Sequence, residues 1–198
     1  MTIITIILAI VVFLNILLGA LSVAQNRKSF KNIFFSVLCF SAALWTFANF
    51  MTGVYPTSFW IKSAYSFGSI VISSGLIWTL ALANKSKDIF KKAIFIYTIA
   101  FIFSVLSFSD GFIVKSYIQI YPGGAFSGEV GYGMIPYSIF YLLAGVIILY
   151  ELISGYLHTK DFREKNHLKY ILYGAIATLS VSSVTSFIFP ILDIYQFS

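Results

Sequence analysis

One cysteine, Cys39, stands in the whole chain, so no intrachain disulfide can form, and its place inside an apolar run reads as a buried free thiol. Two histidines, His158 and His167, flank a single polar segment. A zinc site needs three or four ligands, and neither a third histidine nor a second cysteine is present to complete one. No His-Glu-x-x-His pair, nucleophile elbow, Walker loop or pair of carboxylates is found, which argues against an enzyme and against a metal or cofactor. Charge is scarce as well. Only 10% of the 198 residues are Asp, Glu, Lys or Arg, against about 25% in ordinary soluble domains. With 59% hydrophobic residues, a soluble fold could not hide the apolar surface in one core, and a lipid bilayer must serve as solvent for most side chains.

What the chain has in abundance is long apolar runs. A helix needs about 20 apolar residues to cross the hydrocarbon. Six stretches satisfy or approach this: 3–24, 33–51, 59–83, 90–108, 136–157 and 169–192. Backbone groups in lipid must be satisfied internally, and the runs do not alternate with period two, so helices are expected and a barrel is excluded. The expected fold is an all-α, polytopic transmembrane bundle of six helices forming one domain, residues 1–198.

The cations set the threading. Eleven of the thirteen Lys and Arg fall into three clusters between spans: Arg27/Lys28/Lys31, Lys85/Lys87/Lys91/Lys92 and Lys160/Arg163/Lys165/Lys169. Cytoplasmic loops carry such an excess. The segments 25–32, 84–88 and 158–167 are therefore expected inside, and both chain ends outside. The formal charge of +6 points to anionic headgroups at the cytoplasmic leaflet, not to nucleic acid. The first apolar run is too long for a signal-peptide core and has no positive residue before it, so an uncleaved first span is expected.

The segment 109–135 is the one sizeable stretch outside the spans. Its first part, 112–121, alternates loosely, and 122–133 contains Gly123, Gly124, Gly128, Gly131 and Gly133. A short hairpin lying on the outer mouth and a plain glycine-rich connector both fit this pattern. The glycines do not form a phosphate loop, since no strand-to-helix turn with a lysine follows them.

Ionisable groups inside spans are functional candidates by default. Glu151, in the fifth span two turns before His158, is the only acidic one. It reads either as an interfacial carboxylate paired with a loop cation or as a relay for a signal or a proton. Lys62, one turn into the third span, can snorkel to the outer surface or contact an anionic ligand. The span amides Asn15 and Asn49 read as glue between helices. Trp45, Asn49, Trp60, Tyr65, Tyr137 and Tyr141, with Tyr55, lie at similar depth in the outer half. An interfacial aromatic belt accounts for many of them. Facing inward, the same side chains would line a pocket for a small apolar or aromatic ligand. Gly174, Thr178, Ser182 and Ser186 on the sixth span, and Ser69 and Ser73 on the third, have the spacing that lets helices approach closely. Pro190 closes the sixth span.

Three passages carry a resemblance to a family. Asn26-Arg27-Lys28-Ser29-Phe30-Lys31-Asn32 leads into Phe34-Phe35 and then Ala43-Leu44-Trp45. Tyr65-Ser66-Phe67-Gly68 opens a long third span that ends before a Lys-rich loop. Phe162-Arg163-Glu164-Lys165-Asn166-His167-Leu168-Lys169-Tyr170 is followed by Gly174 and by Phe189-Pro190. Together these resemble the N-terminal seven-helix sensor region of prokaryotic histidine kinases and related signalling proteins. The resemblance implies an outward-facing sensor for a small or lipid-soluble ligand in the cell membrane. It also implies output through a cytoplasmic kinase or cyclase module, or through a homodimer. The sequence departs from the family in ending after six spans, without the seventh helix or an output module. A small transporter is a rival reading, weakened by the absence of a repeat between residues 1–84 and 90–192. A membrane enzyme or assembly subunit is another.

Overall fold

The computed structural model describes residues 3–55, 57–83, 88–119 and 126–184. Among these described residues six helices follow in order: α1 Ile3–Gln25, α2 Phe30–Val54, α3 Ser58–Leu82, α4 Ile89–Leu106, α5 Met134–His158 and α6 Phe162–Ser183. A two-stranded hairpin, β1 Val114–Gln119 and β2 Phe126–Val130, lies between α4 and α5. The first five helices are each long and apolar enough to cross a membrane. The shortest, α4, has 18 residues and so spans about 27 Å, against a hydrocarbon layer of about 30 Å. The helix boundaries fall within a turn of the apolar runs, except at α6.

There the helix starts before the expected span of 169–192. The helix begins at Phe162, seven residues earlier, because Asp161 caps it: the Arg163 amide donates to Asp161 Oδ1 at 2.9 Å. Arg163, Glu164, Lys165 and Lys169 therefore ride on the first turns of a helix and are not in a loop. The described part of α6 is not among the helices apolar enough to cross. The remainder of that span, with Ser186 and Pro190, lies outside the described residues, as do Lys85 and Lys87.

Helix α3 is the axis of the bundle. Of its apolar window 61% is buried, against 6% for α1, and it packs against α2, α4 and α5, while α1 packs on α2 and α6 on α5. The reason is visible in its sequence. Ser63, Ser66, Gly68, Ser69, Ser73 and Ser74 give it a slim surface, and all are buried. Small residues let helices in lipid approach closely, where van der Waals packing and polar contacts drive association. Ser66 Oγ meets Ser104 Oγ of α4, Ser69 Oγ donates to the Ala100 carbonyl at 3.1 Å, and Ser74 Oγ lies 3.0 Å from Tyr97 Oη. Ser73 Oγ is fully buried with no hydrogen-bond partner among the described residues. Gly19 does the same for α1, since a Cβ there would sit 3.2 Å from Cys39 Cβ and 3.3 Å from the Ser36 carbonyl.

Two apolar clusters divide the interior. One, around Ile72, Leu76, Ile77, Ile148 and Leu152, joins α3 to α5 in the half nearer the basic segments. The other, Phe112, Ile113, Met134 and Tyr137, seats the base of the hairpin on the opposite end. The hairpin is antiparallel, with Val114 opposite Val130 and Tyr117 opposite Gly128, and it carries one irregularity at Lys115. Of the two readings of residues 109–135, the structure takes the hairpin. Its turn, residues 120–125, lies outside the described residues.

Candidate functional site

Two regions hold the residues that could carry chemistry. The first is an aromatic cluster at the hairpin end. Tyr137, one turn into α5, is buried, and its hydroxyl donates to the Tyr65 carbonyl of α3 at 2.8 Å. The two rings meet edge to face with centroids 5.7 Å apart. Gly68 makes room for this. A Cβ on it would lie 2.9 Å from Tyr137 Oη and 3.6 Å from Trp45 Nε1. Trp45 of α2, Tyr65 of α3 and Tyr137 of α5 are thus gathered around one glycine. One turn deeper, Tyr141 Oη lies 2.6 Å from Ser182 Oγ of α6.

The other two candidates sit apart. Asn49 is exposed, and its amide donates to the Trp45 carbonyl of its own helix at 2.9 Å. Asn15 likewise donates to the Val11 carbonyl one turn before it at 2.9 Å. Among the described residues each amide bonds a carbonyl of its own helix and none of a neighbouring one, in place of the expected glue between helices. Trp60 packs edge to face on Phe47 and Phe59, with centroids 5.7 and 5.0 Å away, on the side of the bundle where Phe47 and Phe59 are exposed. That placement suits a belt.

Lys62 does not reach freely outward. Its ammonium pairs with Asp110 and donates to the Phe108 carbonyl at 3.3 Å, fastening the end of α4 to α3. Through that hydrogen bond and the adjoining charge, Lys62 holds the exposed Asp110 carboxyl below its ordinary range.

The second region is a pair of cavities in the other half. The polar one, about 430 Å³, lies where the last turns of α3 and α5 face the first turn of α6. Glu151, Ser154, His158, Thr159 and Glu164 line it. Glu151 is only 9% exposed, and His158 Nδ1 donates to the Ser154 carbonyl at 2.7 Å. Among the described residues no three His, Cys, Asp or Glu side chains form a group that could hold a metal ion. The apolar one, about 310 Å³, runs toward the middle of the bundle between α2, α3, α5 and α6. Trp78, Ile148, Tyr141, Gly174 and Leu179 are among its walls. Thr79 and Leu152 line both cavities, so the two adjoin.

Of the candidate set, Tyr141 alone lines the apolar cavity and Glu151 alone lines the polar one. Sequence reasoning passed over Ser154, Thr159 and Glu164. A signal for part of the set was present: Glu151, Ser154 and His158 are spaced three and four apart, a polar stripe along one face of a helix. Gly174 also departs from expectation. Nothing lies within 4 Å of a Cβ placed on it, so it opens a cavity wall and does not seat a neighbouring helix. No family model, no curated protein and no solved structure matches the chain.

Proposed function

We propose that the chain is the multi-pass, cell-membrane sensory region of a signal-transducing protein. In this reading the Lys- and Arg-rich segments face the cytoplasm, and the hairpin and both chain ends lie outside. The asymmetry of charge supports that orientation. The ligand is small or lipid-soluble, and it engages the hairpin half, where Trp45, Tyr65, Tyr137 and Tyr141 bring α2, α3 and α5 together. Output passes to a cytoplasmic kinase or cyclase module, or through a second copy of the chain.

The observation that carries the reading is the layout of α5. This one uninterrupted helix holds Tyr137 and Tyr141 at one end and Glu151 at the other. From Tyr137 to Glu151 is about 21 Å along a helix axis. A displacement of α5 at the aromatic end therefore reaches the polar cavity at the basic end as a rigid movement. A ligand moves such an equilibrium only by binding one position of α5 better than the other.

The test compares membranes with and without the chain. Autophosphorylation or cyclase activity that responds to small lipophilic compounds, and that is lost when the chain is deleted, is the expected result. Saturable solute flux through the purified chain in proteoliposomes, with no such activity in the membranes, would overturn the reading in favour of a transporter.

A further inference from the structure

The apolar cavity is long and thin. Its described walls run from Val71 to Thr79 on α3 and from Ile171 to Leu179 on α6, about 12 Å along either axis. Its volume of about 310 Å³ over that length leaves a mean cross-section of about 26 Å². Such a bore takes one extended hydrocarbon chain and is too narrow for a saturated ring.

Its walls also reject polar groups along that length. Two of the wall hydroxyls already have partners: Thr79 Oγ1 donates to the Gly75 carbonyl at 2.9 Å, and Tyr141 Oη lies 2.6 Å from Ser182 Oγ. A ligand with polar atoms in mid-chain would bury them unpaired, which is costly. Glycines on two walls make the room. A Cβ on Gly75 would come no nearer than 3.6 Å to Ile148 Cδ1, and one on Gly174 meets nothing within 4 Å. The wall residues Gly174 and Thr178 are exposed, so the slot is entered from the side of the bundle, where lipid stands in a membrane. Helices α2, α3, α5 and α6 all contribute walls. A second chain tethered to the same head would be left outside, which favours a single-chain molecule over a phospholipid.

We propose that this slot binds one unbranched aliphatic chain, carried by a small single-chain molecule dissolved in the bilayer. The inference rests on the protein lying in a membrane. Under the sensory reading it also names the class of signal, with Tyr141 shared between the slot and α5 at the aromatic end.

The experiment uses the full chain in lipid nanodiscs and a decanol that carries a photoreactive diazirine within its alkyl chain. Labelled residues are mapped by mass spectrometry. Labelling should saturate and fall on the slot walls, among them Trp78, Ile148 and Leu179. Excess 1-decanol should suppress it at about one tenth of the concentration needed of menthol, a ring alcohol of equal carbon number, the order expected for overpacking. Gly174→Leu should fill the slot and abolish the labelling, while thermal unfolding without ligand is not lowered. Ala177→Leu, exposed on the same helix and not a wall residue, should leave the labelling intact. Labelling that does not saturate, equal suppression by menthol, or full labelling in Gly174→Leu would each overturn the proposal. So would a phospholipid with the diazirine in an acyl chain that labels the same walls and resists excess 1-decanol. Saturable labelling of the slot in membranes that show no kinase or cyclase response supports the proposal and counts against the sensory reading alone.

Discussion

Tyr137 Oη reaches from α5 to a carbonyl of α3, while Asn49 on α2, among the described residues, bonds its own helix. The two side chains looked alike in sequence, as polar groups near the outer end of a span. Their energetic roles differ. Interhelical hydrogen bonds in membranes contribute about 0.6 kcal/mol on average and up to about 1.7. Tyr137→Phe should lower stability within that range, as measured by thermal unfolding in mild detergent. Asn49→Ala, at an exposed site, should stay within about 0.5 kcal/mol of the parent. Equal losses in the two variants would contradict the placement of Tyr137.

Asp110 supplies a second residue-scale test. Its carboxyl is held low by Lys62, so the pairing is fully present above the ordinary Asp value of about 3.9. It is lost as pH falls through the lower folded value. The carboxylate resonance of Asp110 should titrate below the ordinary value and return to it in Lys62→Met. A midpoint at or above the ordinary value would show that the pair does not form.

Among the elements, the base of the hairpin is seated at two glycines. The Gly131 and Gly133 amides donate to the Ile113 and Phe112 carbonyls at 2.8 and 2.7 Å. A Cβ on Gly133 would lie 2.4 Å from the Phe112 ring. Gly133→Ala should therefore cost about 1–3 kcal/mol by overpacking. Gly174→Ala, facing open space inside a helix, should gain up to about 1 kcal/mol from helix propensity. Unfolding of the two variants by denaturant in the same detergent makes the comparison, and a neutral Gly133→Ala would refute the tight seat of Phe112.

This contrast marks how far the sequence could be read. The five apolar helices were legible because lipid forces every backbone group into an internal hydrogen bond, so hydropathy alone finds them. The early start of α6 was not, because one Asp161 cap outweighs a run of charged residues that looks like loop. The serine face of α3 was half legible. Ser69 and Ser73 had helix-packing spacing, but no pattern in one helix tells which neighbour, α4 or α5, it will meet. The aromatic candidates scattered for the same reason. Depth can be counted along a span, whereas rotation toward or away from the interior depends on partners brought in from elsewhere in the chain.

At the scale of the molecule, one feature organises the rest. The described ends of the basic segments gather at the end of the bundle opposite the hairpin. The Phe30 and Phe90 rings, at the starts of α2 and α4, meet edge to face at 4.9 Å. The ends of α3 and α5 and the start of α6 share the polar cavity. Lys62 stands at the hairpin end, and Lys115 on the hairpin pairs with Glu129 at 2.9 Å. The two ends differ sharply in charge, and the proposed receptor, its direction of signalling and its cytoplasmic output all depend on which one faces the cytoplasm.

Cysteine labelling in intact cells tests that dependence most directly, and the chain is suited to it because Cys39 is its one thiol and is buried. In a Cys39→Ser background, Lys115→Cys on the hairpin should react with a membrane-impermeant maleimide in intact cells. Lys165→Cys on α6 should react only after the membrane is permeabilised. Labelling of Lys165→Cys in intact cells, with Lys115→Cys protected until permeabilisation, would invert the molecule and contradict the account.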